Sequence, residues 1–135
     1  SPRIPRSAVV NALAGLPEAQ SVNEETGAVH GAALAGHDGN LLCVREDVGR
    51  HNALDKLIGA ATCQKFDPLS GFVVVTSRCS MEMVQKTVTF GCPVLISVSA
   101  PTSLALELAE KSNLTIAAFA RDDRINLYSH PERVI

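Results

Sequence analysis

Apolar and polar residues alternate along this chain in blocks whose spacing predicts a β-hairpin followed by alternating helices and strands. Two apolar runs, residues 29–35 and 40–45, flank the turn sequence Gly36-His37-Asp38-Gly39 and predict the hairpin. Ahead of it, Ser7 is a helix-capping residue that precedes apolar positions with helical spacing. We expect that helix to end by Gly15, with Pro17 closing it.

Three further apolar runs begin at Phe72, Val94 and Leu114, and each has the length of a buried strand. A segment of helical periodicity precedes each run. The first segment starts at Asn52 as N-cap, the second follows Ser80 as N-cap, and the third lies around Leu104. A last short strand is expected over residues 125–128.

This alternation predicts an α/β fold, a three-layer α/β/α sandwich whose mixed sheet is mostly parallel. The runs at Phe72, Val94 and Leu114 should be neighbouring parallel strands with helices on both faces of the sheet. Residues 1–25 then form an N-terminal helical segment, and residues 26–135 form one α/β domain that no repeat or linker divides.

The composition of the chain excludes several classes of protein. With 135 residues, 46% of them hydrophobic and 19% charged, the chain can bury a core without metals or disulfides, and disorder is excluded. A net charge of −2 gives no general attraction to nucleic acid. No apolar run approaches a membrane span, and the four cysteines lack C-x-x-C spacing. These features predict a reduced, cytoplasmic protein that binds neither membrane nor nucleic acid.

The strand-to-helix loops carry most of the candidate binding residues. In a parallel sheet these loops share one edge, where ligands bind beside helix N-termini. The expected loops are Arg45–Asn52, Ser77–Ser80 and Ser99–Ser103, with the exit of the last long strand at Arg121. Arginine forks and free backbone N–H groups suit phosphate, so the sequence predicts an anionic, phosphorylated ligand. The residues that carry this prediction are Arg45, Arg50, His51, Arg78, Ser80, Thr102, Ser103, Arg121 and Arg124.

The same charges have a purely structural interpretation. The arginines and aspartate of the first loop would pair with one another, Arg78 would pair with Glu82, and Arg121 would pair with an adjacent aspartate. All of them would then be solvated surface.

Other chemistry is less well supported by the sequence. Neither nucleotide-binding glycine loop is present. Ser80, His51 and Asp47 are the members of a possible hydrolytic triad, but the G-x-S-x-G elbow is missing and a capping serine is the commoner role. Cys79 follows Arg78 at a helix start, where a thiol pKa can be lowered. A buried structural thiol is the favoured interpretation for Cys79, as for Cys63 and Cys92, and we assign no catalytic residue and no metal ligand.

The chain contains, in this order, the segments Thr26–Leu34, Arg45–Leu57, Glu82–Lys86, Ser97–Ala105 and Phe119–Arg121. Together they resemble the FdhD/NarQ family, the formate dehydrogenase accessory sulfurtransferases. The resemblance implies a protein that accepts sulfur from a cysteine desulfurase as a persulfide and passes it to the molybdenum cofactor of formate dehydrogenase. That cofactor, bis(molybdopterin guanine dinucleotide), is large, anionic and rich in phosphate. The resemblance also implies a homodimer and a fold similar to that of cytidine deaminases.

The chain departs from the family pattern in one important respect. The persulfide-carrying cysteine of the family lies in a C-x-x-C-type loop of the amino-terminal part, and no such loop occurs in this sequence. The chain therefore resembles the carboxyl-terminal, cofactor-binding domain, which we expect to be inactive alone. Ala28 and Ser77 also stand where the family usually has glycine.

We expect the guanosine phosphate ends of the cofactor, and GDP as a partial mimic, to contact the segment from Phe119 to Arg124. Arg121 would fork onto phosphate or stack on the purine, and Asp122 and Asp123 would accept from the guanine N1–H and N2–H₂ groups. Phe119 and Ala120 lead into this segment, and Ser99 lies in the neighbouring loop.

Two other function classes remain open at this point. One is a zinc-independent nucleotide-binding interaction module. The other is a deaminase-like hydrolase, although the H-x-E and P-C-x-x-C ligands which that chemistry needs are missing.

Overall fold

A computed structural model of the chain describes residues 3–19, 30–120 and 124–135. Within these residues six strands form one mixed sheet with the order β2-β1-β3-β4-β5-β6. The strands are β1 (His30–Gly36), β2 (Leu41–Asp47), β3 (Gly71–Val75), β4 (Val94–Ser97), β5 (Thr115–Ala120) and β6 (Arg124–Ser129). The α-helices are α1 (Arg6–Ala19), α2 (Arg50–Cys63), α3 (Met81–Phe90) and α4 (Ser103–Lys111). No helix in these ranges is long and apolar enough to cross a membrane.

The predicted hairpin is present, since β1 and β2 pair antiparallel. Its turn is fixed by Asp38, whose side chain accepts from the Asn40 N–H at 2.9 Å, and by Gly39, which has a φ of 89°. A Cβ on Gly39 would lie 2.3 Å from the carbonyl oxygen of Ala8 on α1. Glycine therefore serves the turn and also lets α1 approach it.

The central strands confirm the predicted arrangement. β3 and β4 are parallel neighbours, and so are β4 and β5. Because β1 is antiparallel to both β2 and β3, β2 runs in the same direction as these three strands. The ends of β2, β3, β4 and β5 therefore meet at one edge, which we call the carboxyl edge (residues 48–49, 76–80 and 98–102).

Helices cover both faces of the sheet. On one face α2, α3 and α4 bury a cluster that includes Leu54, Leu57 and Met83 against strand residues such as Val73 and Leu95. On the other face α1 packs through Val9 and its apolar neighbours against alternate residues of the same strands. Period-two burial on both sides of β3 explains why its sequence is continuously apolar. The fold is the expected three-layer α/β/α sandwich.

Several element boundaries were predicted wrongly. Helix α1 starts at Arg6, so Ser7 lies inside it and is not its N-cap. Helix α1 continues through Pro17 to Ala19 instead of ending by Gly15. A proline near the end of a helix removes one backbone donor, and this loss does not stop the last turn here. The polar stretch after Val44 is not a loop, because β2 continues to Asp47 and α2 starts at Arg50. Only Val48 and Gly49 connect them, and Gly49, not Asn52, is the N-cap.

Candidate functional site at the carboxyl edge

Asp47 at the end of β2 is held by Gly49 of the connection and by Asn52 and Lys56 of α2, and we call this group the Asp47–Lys56 clamp. Asp47 accepts from the Gly49 N–H at 2.9 Å and pairs with Lys56 at 2.7 Å across the first turns of α2. The Lys56 ammonium, and then the Gly49 N–H, lower the pKa of Asp47 below its ordinary value, and Asn52 contributes in the same direction. Asp47 is therefore engaged by a lysine and a backbone group, so the expected arginine–aspartate pairing of this loop and the triad role of Asp47 are both wrong.

Arg50 and His51 begin α2 and face the start of α3. Arg50 is exposed, whereas the His51 Nε2 atom is buried without a hydrogen-bond partner among the described residues. Both side chains lie close enough to Glu82, in the first turn of α3, to affect that carboxyl. The pKa of Glu82 is lowered mainly by its own backbone N–H, then by the Ser80 hydroxyl, with smaller contributions from His51 and Arg50. The proposed Arg78–Glu82 ion pair does not form within 4 Å, because Glu82 turns toward α2.

Ser80 is the N-cap of α3, as predicted, but it does not cap through its side chain. Its hydroxyl oxygen is buried and makes no well-formed hydrogen bond with the described residues, although it lies close enough to Glu82 to affect the pKa of that carboxyl. The Ser80 hydroxyl therefore affects Glu82 through its proximity, without a hydrogen bond of good geometry. Ser80 remains a polar group on the α2–α3 side of the edge.

The loops after β3 and β4 are held together by hydrogen bonds. Ser97 donates to the Ser77 carbonyl at 2.9 Å and accepts from the Ser99 N–H at 3.1 Å. The Thr102 N–H donates to the Cys79 carbonyl at 3.0 Å, and the Thr102 hydroxyl accepts from the Ala105 N–H at 3.1 Å to cap α4. These bonds give the centre of the carboxyl edge a fixed backbone, with exposed Ser103 beside it.

Among the described residues, no arginine at this edge forms an ion pair with a carboxylate. Arg50, Arg78 and Arg124 are exposed, and Arg45 is half-buried with its Nη1 donating to the Val44 carbonyl at 2.7 Å. In the described part of the chain, the ion pairs at carboxylates involve Lys56, Lys86 and His130, and none involves an arginine. The cations expected at this edge are therefore present and available, apart from Arg50, which faces Glu82.

The segment expected to contact guanine lies partly outside the described residues. The backbone of β5 reaches Ala120, which pairs with Arg124 on β6, and Phe119 pairs with Ile125. This pairing puts Arg124 at the carboxyl edge. The side chains of Phe119 and Ala120, together with Arg121, Asp122 and Asp123, fall outside the described part, so their roles stay predictions.

The cysteines differ from one another in burial. Cys79 and Cys92 are buried, and burial raises the pKa of Cys79 to about 12 and that of Cys92 to about 11. The suggestion of a lowered Cys79 pKa is wrong, because desolvation outweighs its position at a helix start. Cys63 is exposed at the end of α2, so the structural interpretation fails for that residue.

Sequence reasoning assigned Glu82 to the wrong partner, Arg78, and missed the role of Lys56 at this edge. Glu82 sits two residues after the N-cap of α3, where an acidic side chain meets free backbone N–H groups. Lys56 is one turn inside α2 and reaches back to Asp47. The position of Glu82 in the first turn of α3 could have indicated its role from sequence alone. The Lys56 contact could not be predicted, because it depends on β2 continuing to Asp47.

Comparison with known proteins gives consistent matches over the whole chain. The profile of the FdhD/NarQ family matches residues 1–135. A sulfur carrier protein FdhD from Bordetella parapertussis is 48% identical over 134 residues, which are 99% of this chain and 49% of that protein. One from Xanthomonas euvesicatoria is 52% identical over 127 residues, which are 94% of this chain and 45% of that protein.

A solved structure has the same fold. The crystal structure of a formate dehydrogenase accessory protein from Desulfotalea psychrophila superposes with a TM-score of 0.92 at 32% sequence identity. It covers 100% of this chain, which spans 58% of that protein and about half the length of the sulfur carrier relatives. The motifs, the fold and these matches agree, and the chain belongs to the FdhD/NarQ family.

Proposed function

We propose that this chain is the cofactor-binding part of a sulfur carrier protein that serves the maturation of formate dehydrogenase. The observation that carries the proposal is the carboxyl edge itself, where Arg78 and Arg124 are exposed without carboxylate partners in the described residues. Arginines left unpaired beside helix N-termini suit an anionic ligand. The names of the relatives supply the class of function.

The ligand that fits this edge is the molybdenum cofactor bis(molybdopterin guanine dinucleotide). Its phosphates would contact the guanidinium groups of Arg78, Arg124 and Arg121. They would also accept from N–H groups at the starts of α3 and α4, apart from those of Glu82 and Ala105, which are already engaged. The hydrogen-bonded loops after β3 and β4 support this role because they hold those N–H groups in place before the ligand arrives.

The sulfur itself would be carried by a cysteine that is not one of the four in this sequence. A persulfide forms on a reactive thiolate, and the raised pKa values of Cys79 and Cys92 keep these buried thiols protonated at neutral pH. Cys43 is buried within β2, and Cys63 is exposed but lies at the end of α2 that is opposite to the carboxyl edge. In this proposal the whole protein receives sulfur from a cysteine desulfurase, delivers it to the cofactor of formate dehydrogenase, and acts as a cytoplasmic homodimer.

The proposal is tested by titrating GDP into the wild-type chain and an Arg121→Ala variant. Loss of charge-assisted hydrogen bonds should weaken GDP binding by about ten- to a hundredfold. Arg6→Ala is the matched control, because Arg6 is an exposed arginine at the start of α1, away from the carboxyl edge. Equal GDP affinity for all three proteins would reject the site, and a lowered melting temperature of Arg121→Ala would show that Arg121 is a structural residue.

A further inference from the structure

A cavity lies at the opposite edge of the sheet, which we call the amino edge. It has a volume of about 420 Å³ and is bordered by the residues that follow α3 and α4 and precede β4 and β5. Four apolar side chains, Leu69, Val88, Pro93 and Leu114, form much of its wall. Leu69 is 55% exposed, which places it at the mouth. The volume is in the range of small-molecule sites, roughly 300 to 1,000 Å³.

Arg133 lines this cavity and is only 4% exposed. Its Nη1 donates to the Asn113 carbonyl at 2.7 Å and the Thr115 hydroxyl at 2.9 Å, with the Pro93 carbonyl at 3.5 Å. Its Nε is buried without a partner, and Nη2 makes no hydrogen bond with the described residues. One nitrogen is thus saturated, while the side of the guanidinium formed by Nε and Nη2 is free.

No carboxylate in the described ranges neutralises Arg133. The nearby acids Glu110 and Glu132 face His130, at 3.6 and 3.8 Å, and not Arg133. The Cys92 thiol in the cavity wall is neutral at pH 7, since burial raises its pKa to about 11. A buried cation with neutral partners alone is costly, so the site favours an occupant that brings a negative charge.

The unpartnered donors of Arg133 and the apolar walls of the cavity together indicate which class of ligand fits. The Nε and Nη2 groups form one of the two forks through which arginine binds a carboxylate with two hydrogen bonds. The apolar wall suits an aliphatic or aromatic body. The helix C-termini at Gly91 and Ser112 border the cavity, and their partial negative charge disfavours a phosphate dianion. We propose that the amino edge binds a small organic monocarboxylate, with Arg133 holding the carboxylate and Leu69 covering the apolar body.

The test follows the Arg133 Nε–H resonance by NMR while octanoate is added. We expect a saturable downfield shift with a Kd of about 1 mM or tighter, and no comparable shift with octanol or inorganic phosphate. Absence of the shift at octanoate concentrations well above that value overturns the proposal. An equal response to phosphate also overturns it, because the site would then lack the proposed preference for a carboxylate.

Three variants separate an effect on octanoate binding from an effect on folding. Arg133→Lys keeps the charge but removes the fork and should weaken octanoate binding by about tenfold or more. Leu69→Asp puts a negative charge at an exposed position of the mouth, so it should fold normally and also weaken octanoate binding by about tenfold, while Leu69→Ser should have a smaller effect. If Arg133→Lys fails to fold, the Leu69 pair decides: octanoate affinity in Leu69→Asp equal to that of the wild type rejects the site.

Discussion

The two edges of the sheet use arginine in opposite ways. At the carboxyl edge Arg78 and Arg124 are exposed and have no acidic partner among the described residues. At the amino edge Arg133 is buried and ties together the segments before β4 and β5 through backbone and hydroxyl oxygens. An exposed arginine contributes little to folding and its whole guanidinium is available to a ligand. Buried Arg133 supports the folded structure through Nη1, and only its Nε and Nη2 groups are left for a ligand. The chemistry of a residue type therefore does not determine its role until its burial is known.

Removing the buried arginine should have the largest effect on stability. Arg133→Ala leaves the Asn113 carbonyl and the Thr115 hydroxyl without their guanidinium donor and enlarges the cavity, so we expect a loss of about 2 to 4 kcal/mol in the free energy of unfolding. Arg78→Ala should change it by less than about 0.5 kcal/mol. Urea unfolding measures both, and similar losses for the two variants would remove the distinction between the edges.

Two glycines, Gly71 at the amino edge and Gly49 at the carboxyl edge, allow a second comparison of the two edges. Gly71 begins β3 at the amino end, and a Cβ there would lie 2.0 Å from the Ala35 carbonyl oxygen on the paired strand β1. Gly49 has a φ of −98°, and a Cβ there would be 3.2 Å from the side-chain nitrogen of Asn52. We expect Gly71→Ala to cost about 1 to 3 kcal/mol or more, and Gly49→Ala to cost under about 1 kcal/mol. Thermal melts of the two variants check this order, and a more damaging Gly49→Ala would contradict it.

The Asp47–Lys56 clamp should give a small pH dependence. Lys56, and then the Gly49 N–H, lower the pKa of Asp47 below 3.8, so its contribution to stability is present above about pH 4 and is lost as the pH falls through the lowered value. Asp47→Asn should therefore flatten the fall in melting temperature on acidification below pH 4. Arg6→Ala serves as the unaffected control. A variant whose acid sensitivity equals that of the wild type would show that the pair is unimportant for stability.

The central strands of the sheet were predicted correctly, whereas the end of its edge strand β2 was not. The strands that contain Phe72 and Val94 are buried on both faces, so each of their positions favours an apolar residue. That continuous apolar run is the pattern from which they were predicted. β2 is an edge strand with one neighbour, and its end can carry Arg45 and Asp47 without losing its pairing to β1. These residues have the composition of a loop, and for that reason the strand end was missed.

The meeting of the strand-to-helix loops at one edge was predicted correctly, whereas many of the contacts at that edge were not. Parallel strands bring their following loops to one edge, and this rule placed Arg78, Ser99 and Thr102 together from sequence alone. Arg133 could not be recognised as a buried residue, because its oxygen partners lie 18 to 40 positions away in the chain. Such long-range contacts leave no local pattern.

Mapping GDP by amide NMR is the most direct test of the central claim, that the carboxyl edge binds the phosphorylated guanine ends of the cofactor. The account predicts that saturating GDP shifts the amide signals of residues 76–80 and 98–103 and leaves those of residues 112–115 unchanged. Shifts concentrated at residues 112–115, or no shifts at either edge, would contradict it.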